Sequence, residues 1–193
     1  MRKLEKDLSA DPLMPETFPI YLKKLEADGD HQQALYVLIH VSTGLRYSDI
    51  QQITVRMIKE NLIIINEKKT GKITRRKFDE SVWEKALVYL HHLDINDDSF
   101  IIKGKFSKTI HINTMNERLK RDKLRYDLPI NNFSTHSFRK CFGRMVFMAN
   151  GSGESAYFML SAVFNHSSIA YTKRYLKITQ EELMEFAATI KIS

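Results

Sequence analysis

The amino-acid sequence predicts a mainly α fold carrying a small antiparallel β-sheet (α+β). Three observations carry this. Apolar residues recur at helical spacing along most of the chain, and a stretch between residues 54 and 78 is instead β-rich around a tight turn. A chain of 193 residues that is 43% hydrophobic can also bury one core without staples.

The elements follow in chain order. Residues 1–15 are largely polar, contain Pro12 and Pro15, and read as an ordered lead-in or the stub of a linker, which leaves 16–193 as the domain. "ETFPIYLKKLEADG" (16–29) is a short helix ending near Gly29. "HQQALYVLIHVSTG" (31–44) is a longer one, with Leu35, Leu38, Ile39 and Ser42 at helical spacing and Gly44 as its stop. "LRYSDIQQI" restarts as a short helix. "TVRMI", "NLIIINEK" and "KITRRKF" read as strands, the last two joined by the turn "KKTG". Helical patterns return at 80–93 and 113–125. In "STHSFRKCFGRMVFMANG" (134–151) a Ser/Thr cap opens a helix and Gly151 closes it. "ESAYFMLSAVF" (154–164) is apolar enough for a core helix, and a segment with Tyr171 and Tyr175 follows "NHSS". "TQEELMEFAATI" then forms a short helix with a Thr179–Glu182 capping box and a stripe of Leu183, Phe186, Ala187 and Ile190.

The net charge of +7 concentrates in "EKKTGKITRRK" (67–77), "RLKRDKLR" (118–125) and "YTKRYLK" (171–177). Clustered Lys and Arg displace counterions from phosphates and so point to a polyanionic partner, although a solvated basic surface is the plainer reading. The lone Cys141 excludes an internal disulfide framework and fits a reducing compartment. No apolar run reaches the ~20 residues of a membrane helix, and "MRKLEKDLSADPL" lacks the apolar core of a signal peptide. A cytoplasmic, nucleoid-associated protein with no membrane partner is expected.

Four separated stretches carry chemistry-bearing residues. In "TGLRYSDI", Asp49 lies three residues after Arg46, where a carboxylate can hold a guanidinium in place. The turn "KKTGK" presents Lys68, Lys69 and Lys72. In "THSFRK", His136 and Arg139 share a helix face near its N-terminus, where backbone N–H groups favour an anion. His166 precedes Tyr175 by nine residues. Taken singly, each has a plainer reading: a surface ion pair, solvated turn lysines, a chance HxxR, a surface histidine with a packed tyrosine.

In this order the four motifs resemble the tyrosine recombinases (phage-integrase family), from about residue 16 to the end. Arg46 matches the first family arginine, Lys69 the hairpin lysine, His136 and Arg139 the HxxR pair, His166 the second histidine and Tyr175 the nucleophile. Two residues depart from the pattern: Asn165 stands where glycine is usual, and Phe138 where leucine is common. Tyr171 falls where threonine is often found and reads as a structural neighbour. The resemblance implies the family's catalytic-domain fold, double-stranded DNA as partner, and strand exchange through a 3′-phosphotyrosyl intermediate without ATP. Arg46, Arg139 and His166 would hold the scissile phosphate, since a planar guanidinium offers bidentate geometry that lysine lacks. His136 would act as base toward Tyr175, helped by cations that favour the phenolate, and Lys69 would protonate the leaving oxygen. Asp49 would orient Arg46. No metal-ligand spacing is present in the sequence, so no metal or other cofactor is expected.

Lys68, Lys72, Arg118, Lys120, Arg121, Lys173, Arg174 and Lys177 are the candidate DNA contacts. The helix at 180–190 would dock on a neighbouring protomer in a homo-tetramer on DNA, or pack on its own domain. The family's N-terminal core-binding domain has no counterpart here, so either a fragment of a longer integrase or a stand-alone minimal protein is expected, the fragment being favoured. Two other readings stand beside this one: a type IB topoisomerase, which religates its own strand, and a DNA-binding module that has lost activity.

Overall fold

The computed structural model describes residues 9–104, 109–166, 168–179 and 182. Helix α1 (Thr17–Ala27) leads into α2 (His31–Thr43), which is capped by Asp30 accepting from Gln33 N–H and stopped by Gly44 in the left-handed region. Helix α2 is buried on nearly every side, through Ala34, Leu35, Tyr36, Val37, Leu38, Ile39 and Val41. A helix apolar all round belongs at the centre of a fold. It packs against α1, α5 (Glu80–His91) and α7 (Thr135–Ala149). His40 is enclosed with it, its Nδ1 3.0 Å from the Tyr36 hydroxyl.

Short α3 (Tyr47–Ile50) and α4 (Val55–Lys59) precede an antiparallel hairpin of β1 (Ile63–Asn66) and β2 (Ile73–Arg76), in register Ile63↔Arg76 and Ile65↔Thr74. Ile63 and Ile65 point into the core while Ile64 and Asn66 face out, so the pleat fixes which side of the hairpin meets the domain. "TVRMI" is therefore helical rather than a strand. Thr54 caps it by accepting from Met57 N–H, and Val55 and Ile58 bury one face three residues apart. The β-branched composition had suggested otherwise, but a cap and a helical register outweigh a weak propensity.

Helix α6 (Ile112–Arg125) lays Met115 and Leu119 on the core. Helix α7 opens with a reciprocal Ser134–Ser137 capping box. Its Phe138, in place of the more usual leucine, is fully buried among Tyr21, Tyr36, His40 and Phe133. Beyond it, α8 (Glu154–Val163) and α9 (Ile169–Leu176) close a second, smaller core of Phe147, Ala156, Tyr157, Leu160, Phe164 and Leu176. Helix α8 is only half a core helix, because Phe158 and Met159 face outward.

The described part of the lead-in packs on the domain. Leu13 is fully buried, Lys140 donates to the Ala10 carbonyl (2.6 Å), and Lys177 pairs with Asp11 (3.2 Å). The Thr179–Glu182 box forms as expected, with Thr179 N–H on Glu182 Oε2 (2.8 Å) and Glu182 N–H on Thr179 Oγ1 (3.2 Å). Glu182 also pairs with the buried Arg144 of α7. The rest of the expected terminal helix lies outside the described residues.

Candidate active site

Side chains from four distant parts of the chain meet at one open cleft of about 440 Å³. Arg46, Lys69, His136, Arg139, His166 and Tyr175 all line it, joined by Thr70, Asn165 and Tyr171. Arg46 arrives from the loop that Gly44 turns. A Cβ there would sit 2.2 Å from the Phe142 ring, and φ is +62°, so glycine is required on both counts. Lys69 comes from the hairpin turn, His136 and Arg139 from the first turns of α7, His166 from the α8–α9 link and Tyr175 from α9.

Two guanidinium groups side by side need acceptors to offset their repulsion. One acceptor is shared: the Phe164 carbonyl, at the end of α8, receives Arg46 Nη2 (3.3 Å) and Arg139 Nη2 (3.1 Å). Carbonyls at a helix C-terminus carry partial negative charge, which suits them to cations. Arg139 also donates to the Gly44 carbonyl at 2.5 Å and stacks on the Phe164 ring, 4.2 Å from its centroid. Burial lowers its pKa to about 10, with Arg46 adding to the shift and Tyr175 opposing it, so Arg139 stays charged at neutral pH.

Arg46 pairs with Glu67 (2.9 Å) rather than Asp49. Among the described residues no hydrogen bond or ion pair joins Asp49 to Arg46. Asp49 is fully buried, and its Oδ1 accepts the backbone N–H of Lys68 (3.0 Å), so it anchors the hairpin turn instead. Sequence spacing set Asp49 one helical turn from Arg46, but the extended backbone of Arg46 at the helix N-cap aims the guanidinium at the hairpin.

His166 is fixed through Nδ1, 2.9 Å from the hydroxyl of the fully buried Thr172. Burial is the main cause that lowers its pKa, to about 4, followed by Arg139, Arg46 and Lys69. His136 presents an exposed edge, yet desolvation inside the cleft, then Arg139 and Lys140, hold its pKa below the ordinary value. Both imidazoles are thus neutral at pH 7. The Tyr175 hydroxyl is buried with no hydrogen-bond partner among the described residues. Burial pushes its pKa up to about 12, although Arg139 and Arg46 pull the other way. The neighbouring cations favour the phenolate as expected, but desolvation of the charged form outweighs them. Tyr171 is half exposed and meets His166 edge-on, centroids 5.0 Å apart.

Glu67, Asn165, Thr172 and the Phe164 carbonyl escaped the sequence reading. Only Asn165 left a trace there, as the residue in place of glycine. Several candidate DNA contacts already have partners within the chain: Arg118 with Asp30, Lys120 with Glu117 (2.7 Å), Lys173 with Glu154 (2.5 Å) and Lys72 with Asn165 (3.1 Å). Lys68, Arg121 and Arg174 are exposed.

Comparison with known proteins bears on the fold and the family. Among solved structures, the chain resembles the XerA recombinase (TM-score 0.72, 15% identity, covering 94% of this chain and 66% of that one). It also resembles the Tn1549 transposon integrase in complex with a circular intermediate DNA (0.69, 18%, 97% and 68%). A third likeness is to a lambda integrase dimer bound to a COC' core site (0.66, 14%, 91% and 51%). The chain thus spans between about half and two-thirds of each of these proteins. At such identities the likeness is one of fold. No curated protein sequence matches the chain. The model of the phage integrase family matches residues 20–182, most of the sequence, and the chain belongs to that family.

Proposed function

We propose that this chain is the catalytic domain of a site-specific DNA recombinase that cleaves and rejoins strands through Tyr175. The observation that carries the reading is the convergence of Arg46, Lys69, His136, Arg139, His166 and Tyr175 on one cleft. Arg46 and Arg139, already side by side on the Phe164 carbonyl, would turn their remaining N–H donors to the non-bridging oxygens of the scissile phosphate, with His166 adding another. Each such donor is worth about 2.7–4 kcal/mol in the transition state.

Tyr175 would attack phosphorus, its proton passing to His136, which is held neutral and so able to accept it. The bond to the 5′-oxygen breaks, and that oxygen takes a proton from Lys69. The products are a 3′-phosphotyrosyl enzyme and a free 5′-hydroxyl, and a second 5′-hydroxyl reverses the step with no external energy. The partner would be double-stranded DNA, met in the cytoplasm. Assembly as a tetramer through residues 180–190 is part of the proposal.

The test uses a nicked suicide duplex and denaturing electrophoresis. Wild-type protein is expected to form a covalent adduct, and Tyr175→Phe none. Intact DNA binding without an adduct would leave the chain a binding module. Efficient relaxation of supercoils without exchange between duplexes would make it a topoisomerase.

A further inference from the structure

Asn165 occupies a backbone position that glycine fills without strain, φ +52°. Asparagine is among the few other residues that adopt it, so the conformation alone does not require a side chain. The side chain nevertheless makes two directed contacts. Its Nδ2 donates to Glu67 Oε1 (3.0 Å), and its Oδ1 accepts from Lys72 Nζ (3.1 Å). The amide has only one sensible orientation, nitrogen toward the carboxylate and oxygen toward the cation.

Both partners lie on the hairpin turn, one on each side of Lys69. Glu67 is buried and fully subscribed: Arg46 (2.9 Å) and the Thr70 hydroxyl (2.9 Å) meet Oε2, while Thr74 (2.7 Å) and Asn165 meet Oε1. Lys68, just before Lys69, is tied by its N–H to Asp49, and Thr70, just after, is tied to Glu67. A two-stranded hairpin is marginally stable by itself. The residues on either side of Lys69 are therefore held by polar contacts, and among their partners Asn165 comes from the α8–α9 link, which also carries His166.

We infer that Asn165 is a positioning residue: through Glu67 and Lys72 it clips the hairpin turn to the cleft and sets Lys69 beside the leaving oxygen. The inference rests on the proposed function, in which Lys69 supplies the proton. It predicts a defect confined to leaving-group protonation. A substrate whose bridging 5′-oxygen is replaced by sulfur departs as a thiolate and needs no proton, so it isolates that step.

The test is single-turnover cleavage by the 193-residue chain at saturating suicide duplex, with oxygen and with sulfur at the bridging position. Asn165→Gly keeps the backbone geometry and removes only the clip. It should slow cleavage of the oxygen substrate about tenfold or more, part of the ~10²–10⁴ that a positioned acid contributes, and cleave the sulfur substrate at the wild-type rate. Wild-type rates on oxygen, or equal slowing on both substrates, would overturn the inference. Lys69→Ala separates the two levels of the claim. Rescued by sulfur, it supports the acid role; slow on both, it removes that role and the reading of the site with it.

Discussion

The two hydrophobic cores of this domain differ in size and in what they carry. The larger, built around α2, supports Arg46, the hairpin with Lys69, and the start of α7 with His136. The smaller, closed by α8 and α9, supports the Phe164 carbonyl, His166 and Tyr175. The groups that would hold a phosphate thus sit mainly on the extensive core, and the nucleophile on the modest one. Helix α9 has eight residues, too few to be stable alone. It is held by Leu176 in the small core and by Arg144, which donates to the Leu176 carbonyl (3.2 Å) and pairs with Glu182. Helix α7 contributes to both, and Arg139 joins them by donating to the Gly44 and Phe164 carbonyls.

The largest effect is expected where the two cores are joined. Arg139→Ala removes a proposed phosphate donor and leaves the Gly44 and Phe164 carbonyls short of a partner. Adduct formation at saturating DNA should fall about 10²–10³-fold. A loss of only a few fold would mean that neither the joint nor the donor matters as described.

A smaller and more local effect is expected from Arg144→Met, which keeps bulk but drops the contacts to the α9 terminus. Hydrogen bonds to a charged donor are worth about 1.5–3 kcal/mol each. Amide exchange across 169–176 should accelerate by about tenfold or more, while amides of α2 keep their protection. Equal acceleration in both would show that the cores unfold as one unit, and the contrast between them would be gone.

The smallest effect is one of pH. His166 in the small core and His40 in the large one have pKa values lowered by burial to about 4 and about 3. Unfolded, each would take up a proton near pH 6.5. The unfolded chain therefore binds more protons below that pH, so the stability these groups contribute is complete above pH 6.5 and is lost as pH falls toward 4 and then 3. Urea midpoints should decline over that interval. His166→Asn should flatten the slope in its upper part, between 6.5 and 4; an unchanged slope would mean that His166 protonates as readily folded as unfolded.

Much of this was legible in the sequence, for a physical reason. Arg46, His136, Arg139, His166 and Tyr175 are chemically specific residue types at set spacings, and helices α2, α5, α6 and α7 announce themselves by caps and periodicity. What stayed hidden depends on contacts between segments far apart in the chain. Glu67 reads as one more charge in a basic run, and only the hairpin's placement sets it 2.9 Å from Arg46. Asp49 was expected beside Arg46 because spacing along a helix is visible, whereas the direction of a side chain at a helix cap is not. The residues of α4 were misassigned because β-branching is conspicuous and a five-residue helix has almost no period to display.

The Phe164 carbonyl has one more consequence, which concerns mutation rather than catalysis. It belongs to the backbone, so no substitution of a side chain deletes it. Any residue at 164 that preserves the last turn of α8 still presents the same oxygen to both arginines. The two guanidinium groups can be lost one at a time, but the atom that gathers them is beyond the direct reach of point mutation. A lineage drifting in sequence would keep this junction for as long as it keeps the helix.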